Sequence, residues 1–488
     1  MRQIPDWKIR GKSMRLLLSD RINVLLMLPL RGKESGDFFY VPDLGLGYLA
    51  AALRSRLGEK VKITIMAKNL QTPENEFKNF LKKNEFDVIG LKVFSSSITN
   101  ARRTITLIRG AVPEAVIVAG GPHATAMPRL ILEHLDADYA IAGDGETPFL
   151  NLMRCLAGGG APEEFLRIEG LIWKENGKIL CNKEACLEDL DSFGTPSWDL
   201  IAPSSFSRYQ TRKCRRYPAA PILLTRGCLN NCTFCGRANT CFRKRDIGKI
   251  IAELRFLMQS YKVREFCVCD DNCAYDRKYF TEFCRALIKE KLDLIWRIPG
   301  GICVNSVNSE LCGLLKRSGC YEVWLGIESG SQNILNAMKK GVTVKRVFEV
   351  TEIMHAEGLK TGGFFVFGYP GETDEDRRQT MSLALKLPLD YVLSCVFYPD
   401  PGAEIFKTLQ NSGRMERLDE LFCSSNQYLN RFTNLSPKGL MGFQHKFSLR
   451  FYGRPKVILN LIREYFSFAG IIYLFRVAVR FVIGAPSW

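Results

Sequence analysis

The chain has 488 residues, 46% hydrophobic and 24% charged, a balance that excludes collagen-like, mucin-like and disordered classes and leaves length for two or three folded domains. Its formal charge of +17 favours acidic partners such as phosphate-bearing ligands or an anionic membrane, while the lack of an RNA-binding signature or a Cys/His finger speaks against a nucleic-acid partner. Seventeen cysteines in so long a chain, with an apolar stretch at 22–30 too short to span a bilayer and no cleavage site, point to a reduced, cytoplasmic compartment rather than a disulfide framework.

Over residues 1–160, strands are expected at 23–28, 61–66, 88–93, 115–119 and 139–142, with helices at 45–57, 73–84, 98–109 and 128–135. Short β-branched or leucine runs alternating with longer helical patterns signal a parallel sheet flanked by helices. The expected fold is therefore α/β, beginning with a flavodoxin-like doubly wound domain whose ligands sit at the carboxyl ends of the strands near a topological switch point. Glycine-dense "AGGGAP" marks the start of a linker over 161–216, and "GLIWKENGKILC" reads as a hairpin turning at Asn176 and Gly177 that bridges two domains.

From 217 to 410 the alternation resumes in "ILLTRG", "EFCVCD", "YEVWLGIE", "GGFFVFG" and "YVLSCVFYP", which suggests a partial or complete β/α barrel with its chemistry on loops at the strands' carboxyl ends. Residues 411–488 read as a basic helical segment. Arg476 and Arg480 oppose a membrane-spanning helix there and favour an amphipathic one, lying on an anionic membrane surface or packed against protein.

The strongest motif is "RGCLNNCTFCGR" at 226–237, which carries Cys228, Cys232 and Cys235. Iron–sulfur clusters normally take four cysteine thiolates, so a three-cysteine loop directly after a strand suggests an iron left open for a small chelating ligand. Zinc needs a fourth donor, and the loop supplies no histidine. Phe234 offers that ligand an apolar face. Cys267, Cys269 and Cys273 read as small buried hydrophobes rather than as a second cluster.

In the first domain "VFSSS" and "VAGGPHAT" each end a strand. Small hydroxyls and glycines there let a nucleotide-bearing cofactor approach the backbone, which makes Ser95, Ser96, Ser97, Gly120 and Gly121 the candidate contacts. His123 reads as a surface or phosphate-contacting histidine.

The cysteine loop resembles that of the radical S-adenosylmethionine (SAM) superfamily. "CDDNCAYD", "LGIESGSQNILNAMKKG" and "FFVFGYPGETDED" resemble three further blocks of its cobalamin-binding branch, which holds class B methyltransferases and anaerobic cyclases; "DLGLGYLAAALR" and "AGDGETPF" resemble its cobalamin-binding domain. The resemblance implies a 4Fe-4S cluster on Cys228, Cys232 and Cys235 that chelates SAM and releases a 5'-deoxyadenosyl radical to act on an unactivated carbon. It implies Phe234 against the adenine, Asp270 or Asp271 near the methionyl amine, Glu328 and Ser329 near the ribose or methionine, and Val366 and Gly368 at the adenine edge. No protein side chain need serve as a nucleophile.

Cobalamin is implied as well, with methyl transfer the leading activity, although the loop after the first strand lacks the Asp-x-His-x-x-Gly pattern of lower-face histidine ligation. The same architecture also serves a radical cyclase or rearrangement enzyme, and a cobalamin and iron–sulfur sensor is the reading from another class. A small-molecule substrate, lipid or isoprenoid in keeping with the tail, and a flavodoxin or ferredoxin as electron donor complete the expectation.

Overall fold

Strand β1 (Ile22–Met27) is buried on both faces: Leu25 and Met27 enter one apolar cluster, Val24 and Leu26 another. Such a strand belongs inside a helix-covered parallel sheet. In the computed structural model, which describes residues 21–31, 42–67, 70–158, 162–206, 214–414 and 432–464, β1 pairs in parallel with both β2 (Val61–Met66) and β3 (Val88–Lys92). With β4 (Val116–Gly120) and β5 (Tyr139–Ile141) the order is β2-β1-β3-β4-β5, the expected flavodoxin-like winding, and its switch point lies between β1 and β3. The helix Leu44–Leu57 starts at Asp43, whose carboxylate accepts the Leu46 N–H at 2.9 Å and pairs with Lys92 at 2.9 Å, fastening the helix start to the end of β3.

Two readings of the first unit change. The helix expected over 128–135 is replaced by two short ones, Pro122–Ala126 and Ile131–His134. The hairpin of β6 (Leu171–Glu175) and β7 (Lys178–Cys181) does not bridge domains, because β6 pairs antiparallel with β5 and extends the same sheet to seven strands. The cause is in its side chains: Leu171 and Trp173 enter one core cluster and Ile172 the other, so the hairpin completes the core.

The second unit is built on a parallel six-stranded sheet of β8 (Ala219–Ile222), β11 (Glu265–Val268), β12 (Ile295–Ile302), β13 (Cys320–Glu328), β14 (Lys360–Phe367) and β15 (Tyr391–Val396), in chain order. Among the described residues β8 and β15 pair only on one side, so the barrel is partial. A two-residue antiparallel ladder of β9 (Thr225–Arg226) and β10 (Arg243–Lys244) follows β8.

The sequence reading missed β12, whose "IWRIPGGI" looks like a turn; the register with β13 shifts between Ile298 and Ile302, absorbing Pro299, Gly300 and Gly301 in an irregularity. One face of the sheet meets helices: Phe266 stacks on Trp296 at 5.4 Å, with Phe280 and Phe283 of the helix Arg277–Glu290 edge-on. The opposite face carries Arg297, buried between Glu265 (3.4 Å) and Glu322 (3.6 Å), so its charges are paired.

The helices Pro437–Tyr452 and Pro455–Glu464 follow, with Phe447 of the first packed on Phe365 and Phe367. The expected amphipathic segment with Arg476 and Arg480 lies outside the described residues. Among the described residues no helix is long and apolar enough to cross a membrane.

Candidate functional site

Cys228, Cys232 and Cys235 lie in the loop between β9 and β10, whose ladder closes the loop at its base. Above the ladder the Cys228 N–H donates to Thr240 Oγ1 (3.0 Å), the Thr240 N–H to the Cys228 carbonyl (2.9 Å) and the Asn239 N–H to the Asn230 carbonyl (2.9 Å). Gly227 opens the loop at φ +87°; a Cβ there would stand 2.0 Å from the Cys241 carbonyl oxygen, so both backbone angle and space demand glycine.

All three thiols are free of disulfides, Cys232 buried and the other two half-buried. Burial raises the pKa of each, Cys232 to about 11 against the opposing charge of Lys340, so the thiols are neutral until a metal displaces their protons. The Arg237 N–H points at Cys235 Sγ from 3.4 Å, a donor for a thiolate. Among the described residues no three Cys, His, Asp or Glu side chains converge tightly enough for a single ion. The donor set fits an iron–sulfur cluster. A fourth cysteine, Cys241, stands exposed at the base of the loop.

Thr233 pins this loop. Its N–H donates to the Met338 carbonyl (3.0 Å), its carbonyl accepts from the Ile405 N–H (2.9 Å), and its hydroxyl meets Tyr369 Oη at 2.7 Å. Tyr369 Oη also donates to the Ala337 carbonyl at 3.1 Å, and both side chains are buried. The loop is thereby fastened to the turn that carries Lys340, whose Nζ bonds Glu328 Oε1 at 2.7 Å and stands 5.7 Å from the Phe234 ring. Phe234 packs on the apolar cluster that contains Val366, Tyr369, Met338 and Phe397.

The expected site residues divide into two groups. Phe234, Glu328 and Val366 gather at the thiol loop through Lys340 and the shared apolar cluster, and Asp271 joins them by accepting from the Gly227 N–H and the Arg237 guanidinium, each at 3.2 Å. Asp270, Ser329 and Gly368 turn to internal partners. Asp270 is buried and accepts from Leu224 N (2.9 Å), Thr225 N (2.7 Å) and Thr225 Oγ1 (2.6 Å); burial pushes its pKa up to about 7. The hydroxyl of Ser329 meets that of Thr380 at 3.1 Å, and the Gly368 N–H donates to Glu372, itself paired with Arg377. Sequence reasoning missed Thr233, Lys340 and Tyr369. All three lie within the sequence motifs, but Thr233 and Tyr369 are singled out by a bond across 136 residues, and Lys340 by standing at the Phe234 ring.

Cys267 Sγ and Cys269 Sγ lie 3.8 Å apart, Cys267 half-buried and Cys269 exposed, so only Cys273 of that trio behaves as the buried hydrophobe expected of all three.

In the first unit the ends of β3 and β4 come together, with the Val93 N–H on the Gly120 carbonyl (2.7 Å) and the His123 N–H on the Val93 carbonyl (3.0 Å). Ser95 Oγ is buried against His123 Nδ1 at 3.0 Å, and Ser97 Oγ turns back to the Phe94 backbone. Ser96 is exposed and, with the backbone at Gly120 and Gly121, remains at the carboxyl ends of the strands. His123 is not the surface residue expected: it is fully buried and stacked on His134 at 6.0 Å, and burial followed by the His134 charge lowers its pKa to about 4, which leaves it neutral.

Two family models match the chain, the B12 binding domain over residues 38–153 and the Radical SAM superfamily over residues 222–384. The chain is a radical SAM protein with a B12-binding domain. Those domains carry the expected cofactors, the 4Fe-4S cluster with SAM in one and cobalamin in the other.

The radical SAM protein is 27% identical over 432 residues to an uncharacterized methyltransferase of Pyrococcus horikoshii, covering 88% of this chain and 91% of the relative. It is 26% identical to an anaerobic magnesium-protoporphyrin IX monomethyl ester cyclase of Rubrivivax gelatinosus, covering 75% and 66%. Among solved structures, TsrM from Kitasatospora setae, a radical SAM methyltransferase with cobalamin and a 4Fe-4S cluster bound, superposes with a TM-score of 0.66 at 18% identity, covering 80% of this chain and 75% of TsrM, a likeness of fold.

Proposed function

We propose that the radical SAM protein cleaves SAM reductively and methylates an unactivated carbon of a small molecule, with cobalamin as the methyl carrier. One observation carries this reading: three free thiols of a closed loop stand at the carboxyl ends of a parallel β/α sheet, in a chain whose other unit has flavodoxin-like order and matches the B12 model. When bound, the cluster and cobalamin supply the electron and the methyl group; the protein's task is to bind, orient and exclude water. In this reading Phe234 and Val366 wall the adenine, Glu328 and Asp271 address the polar end of SAM, and Ser96 with the Gly120–Gly121 backbone meets the cobalamin tail. Asp270, Ser329 and Gly368 brace those contacts from behind.

The test uses anaerobically reconstituted full-length protein with SAM, methylcobalamin and a low-potential reductant, a flavodoxin or ferredoxin in the cell. Release of 5'-deoxyadenosine with a substrate heavier by one methylene is expected. Cluster-loaded protein that forms no deoxyadenosine leaves only the sensor reading. A product with an unchanged carbon count favours the radical cyclase, the reading supported by the Rubrivivax relative.

The substrate is proposed to be a lipid or isoprenoid, and the protein to be cytoplasmic and to rest on the inner face of the membrane. The support is the helix Pro455–Glu464, where Ile458, Leu459 and Ile462 are exposed along one side beside Lys456 and Arg463. Flotation with anionic vesicles checks the contact, and protein that stays in the dense fraction refutes it.

A further inference from the structure

We infer that Lys340 is a positioning residue for the iron–sulfur site: its ammonium, held by Glu328 beside the ring of Phe234, which lies between Cys232 and Cys235 in the chain, offsets the negative charge of the thiolate-bound cluster and eases its reduction. The inference rests on the cluster assignment above. Several separate features put this cation in place. Lys340 and Glu328 are 11% and 9% exposed, so their 2.7 Å pair is shielded from water and salt in a way that surface pairs are not. The adjacent Lys339, by contrast, makes an exposed pair with Glu404, so two consecutive lysines serve different ends.

Room for the buried pair comes from Gly326, two residues before Glu328 on β13: a Cβ there would stand 2.7 Å from both Glu328 Oε1 and Lys340 Nζ. Glu328 is held at φ +66°, a backbone angle rare for a residue with a side chain and found where the surroundings impose it. The turn bearing Lys340 is fixed against the thiol loop by the Thr233 N–H on Met338 and by Tyr369, which grips Thr233 and Ala337 together. Burial lowers the Lys340 pKa, but the negative groups around it, Glu328 first, together raise it by more, so the ammonium keeps its proton. In a low-dielectric site one such charge biases the neighbouring electron count strongly.

The experiment compares full-length wild type with K340M, K340R and E328Q, each reconstituted anaerobically without SAM. Iron is counted, and the reduced cluster is measured by electron paramagnetic resonance across a series of poised potentials. At the potential where wild type is half reduced, K340M should show a reduced-to-oxidised ratio lower by roughly tenfold, and K340R should stay within about threefold of wild type. E328Q removes a negative charge and should move the ratio the opposite way, upward.

A purely structural salt bridge would shift K340M and E328Q alike, and that result, or an unshifted K340M, overturns the inference. If K340M takes up no iron, the other two decide: a cluster-bearing K340R with the wild-type curve and an upward-shifted E328Q support it, and any other outcome sinks it. Wild type that takes up no iron marks failure of the cluster assignment itself, a distinct result.

Discussion

Replacing Tyr369 with phenylalanine removes one oxygen atom from the support of the thiol loop and leaves the ring in its edge-on contact with Phe397 at 5.2 Å. The lost oxygen bonds Thr233 Oγ1 at 2.7 Å, buried, and the Ala337 carbonyl at 3.1 Å, half-buried. At about 0.5 to 1.5 kcal/mol net for each bond, the loop should lose about 1 to 3 kcal/mol against local opening. The readout is amide hydrogen exchange in the loop, where the Thr233 N–H donates to Met338 and the Cys235 N–H to Cys232. Exchange there should quicken by roughly fivefold to somewhat over a hundredfold, while amides of β1 and β3 in the other unit keep their wild-type rates. Thr233→Val breaks the same contact from the other side, so the double variant should cost less than the sum of the singles, by about 1 kcal/mol. Loop amides that exchange at wild-type rates in Tyr369→Phe, or strictly additive variants, would refute the fastening described here.

Cys232→Ala should abolish iron–sulfur absorbance and deoxyadenosine formation while leaving corrinoid uptake largely intact, whereas Cys241→Ser should keep the full iron content; iron lost from Cys241→Ser would mean a fourth thiolate and no open iron. Gly227→Ala, which drives a methyl group onto the Cys241 carbonyl at a positive φ, should destabilise the loop by at least about 2 kcal/mol and lower iron per chain, measured after equal reconstitution. Asp270 supplies a pH signature. With its pKa raised from 3.8 to about 7, the native state keeps a proton that the unfolded chain releases above about pH 4. Its contribution to stability is therefore full at lower pH and is lost as pH climbs towards 7. The unfolding free energy of wild type minus that of Asp270→Asn should fall by about 2 to 3 kcal/mol between about pH 5 and 7, and a flat difference in urea melts counts against the assignment.

The winding of the first unit was legible because each strand is a short apolar run and each helix a longer amphipathic one, with signals that are local in the chain. The hairpin itself was legible from Asn176-Gly177, but its place was not, since pairing with β5 depends on Leu171 and Trp173 finding a core built elsewhere. β12 was hidden because Pro299, Gly300 and Gly301 break the local pattern, and only strands on either side make that stretch extended. The thiols announce themselves by spacing. Thr233, Lys340 and Tyr369 do not, because a hydroxyl or ammonium acquires its role from what it meets across the fold. Asp270 shows the converse: a carboxylate that the motif marks as a ligand contact is taken up by three donors at the ends of β8 and β9.

The seam at the base of the thiol loop contains no sulfur. Its ladder and its three cross-links between Cys228, Asn230, Asn239 and Thr240 are made by peptide groups and one hydroxyl. In a zinc finger the ligands are also the fasteners, and chelation unravels the peptide. By this geometry the inorganic centre and the scaffold are separable: protein bleached by air should keep its folded loop and take up iron and sulfide again.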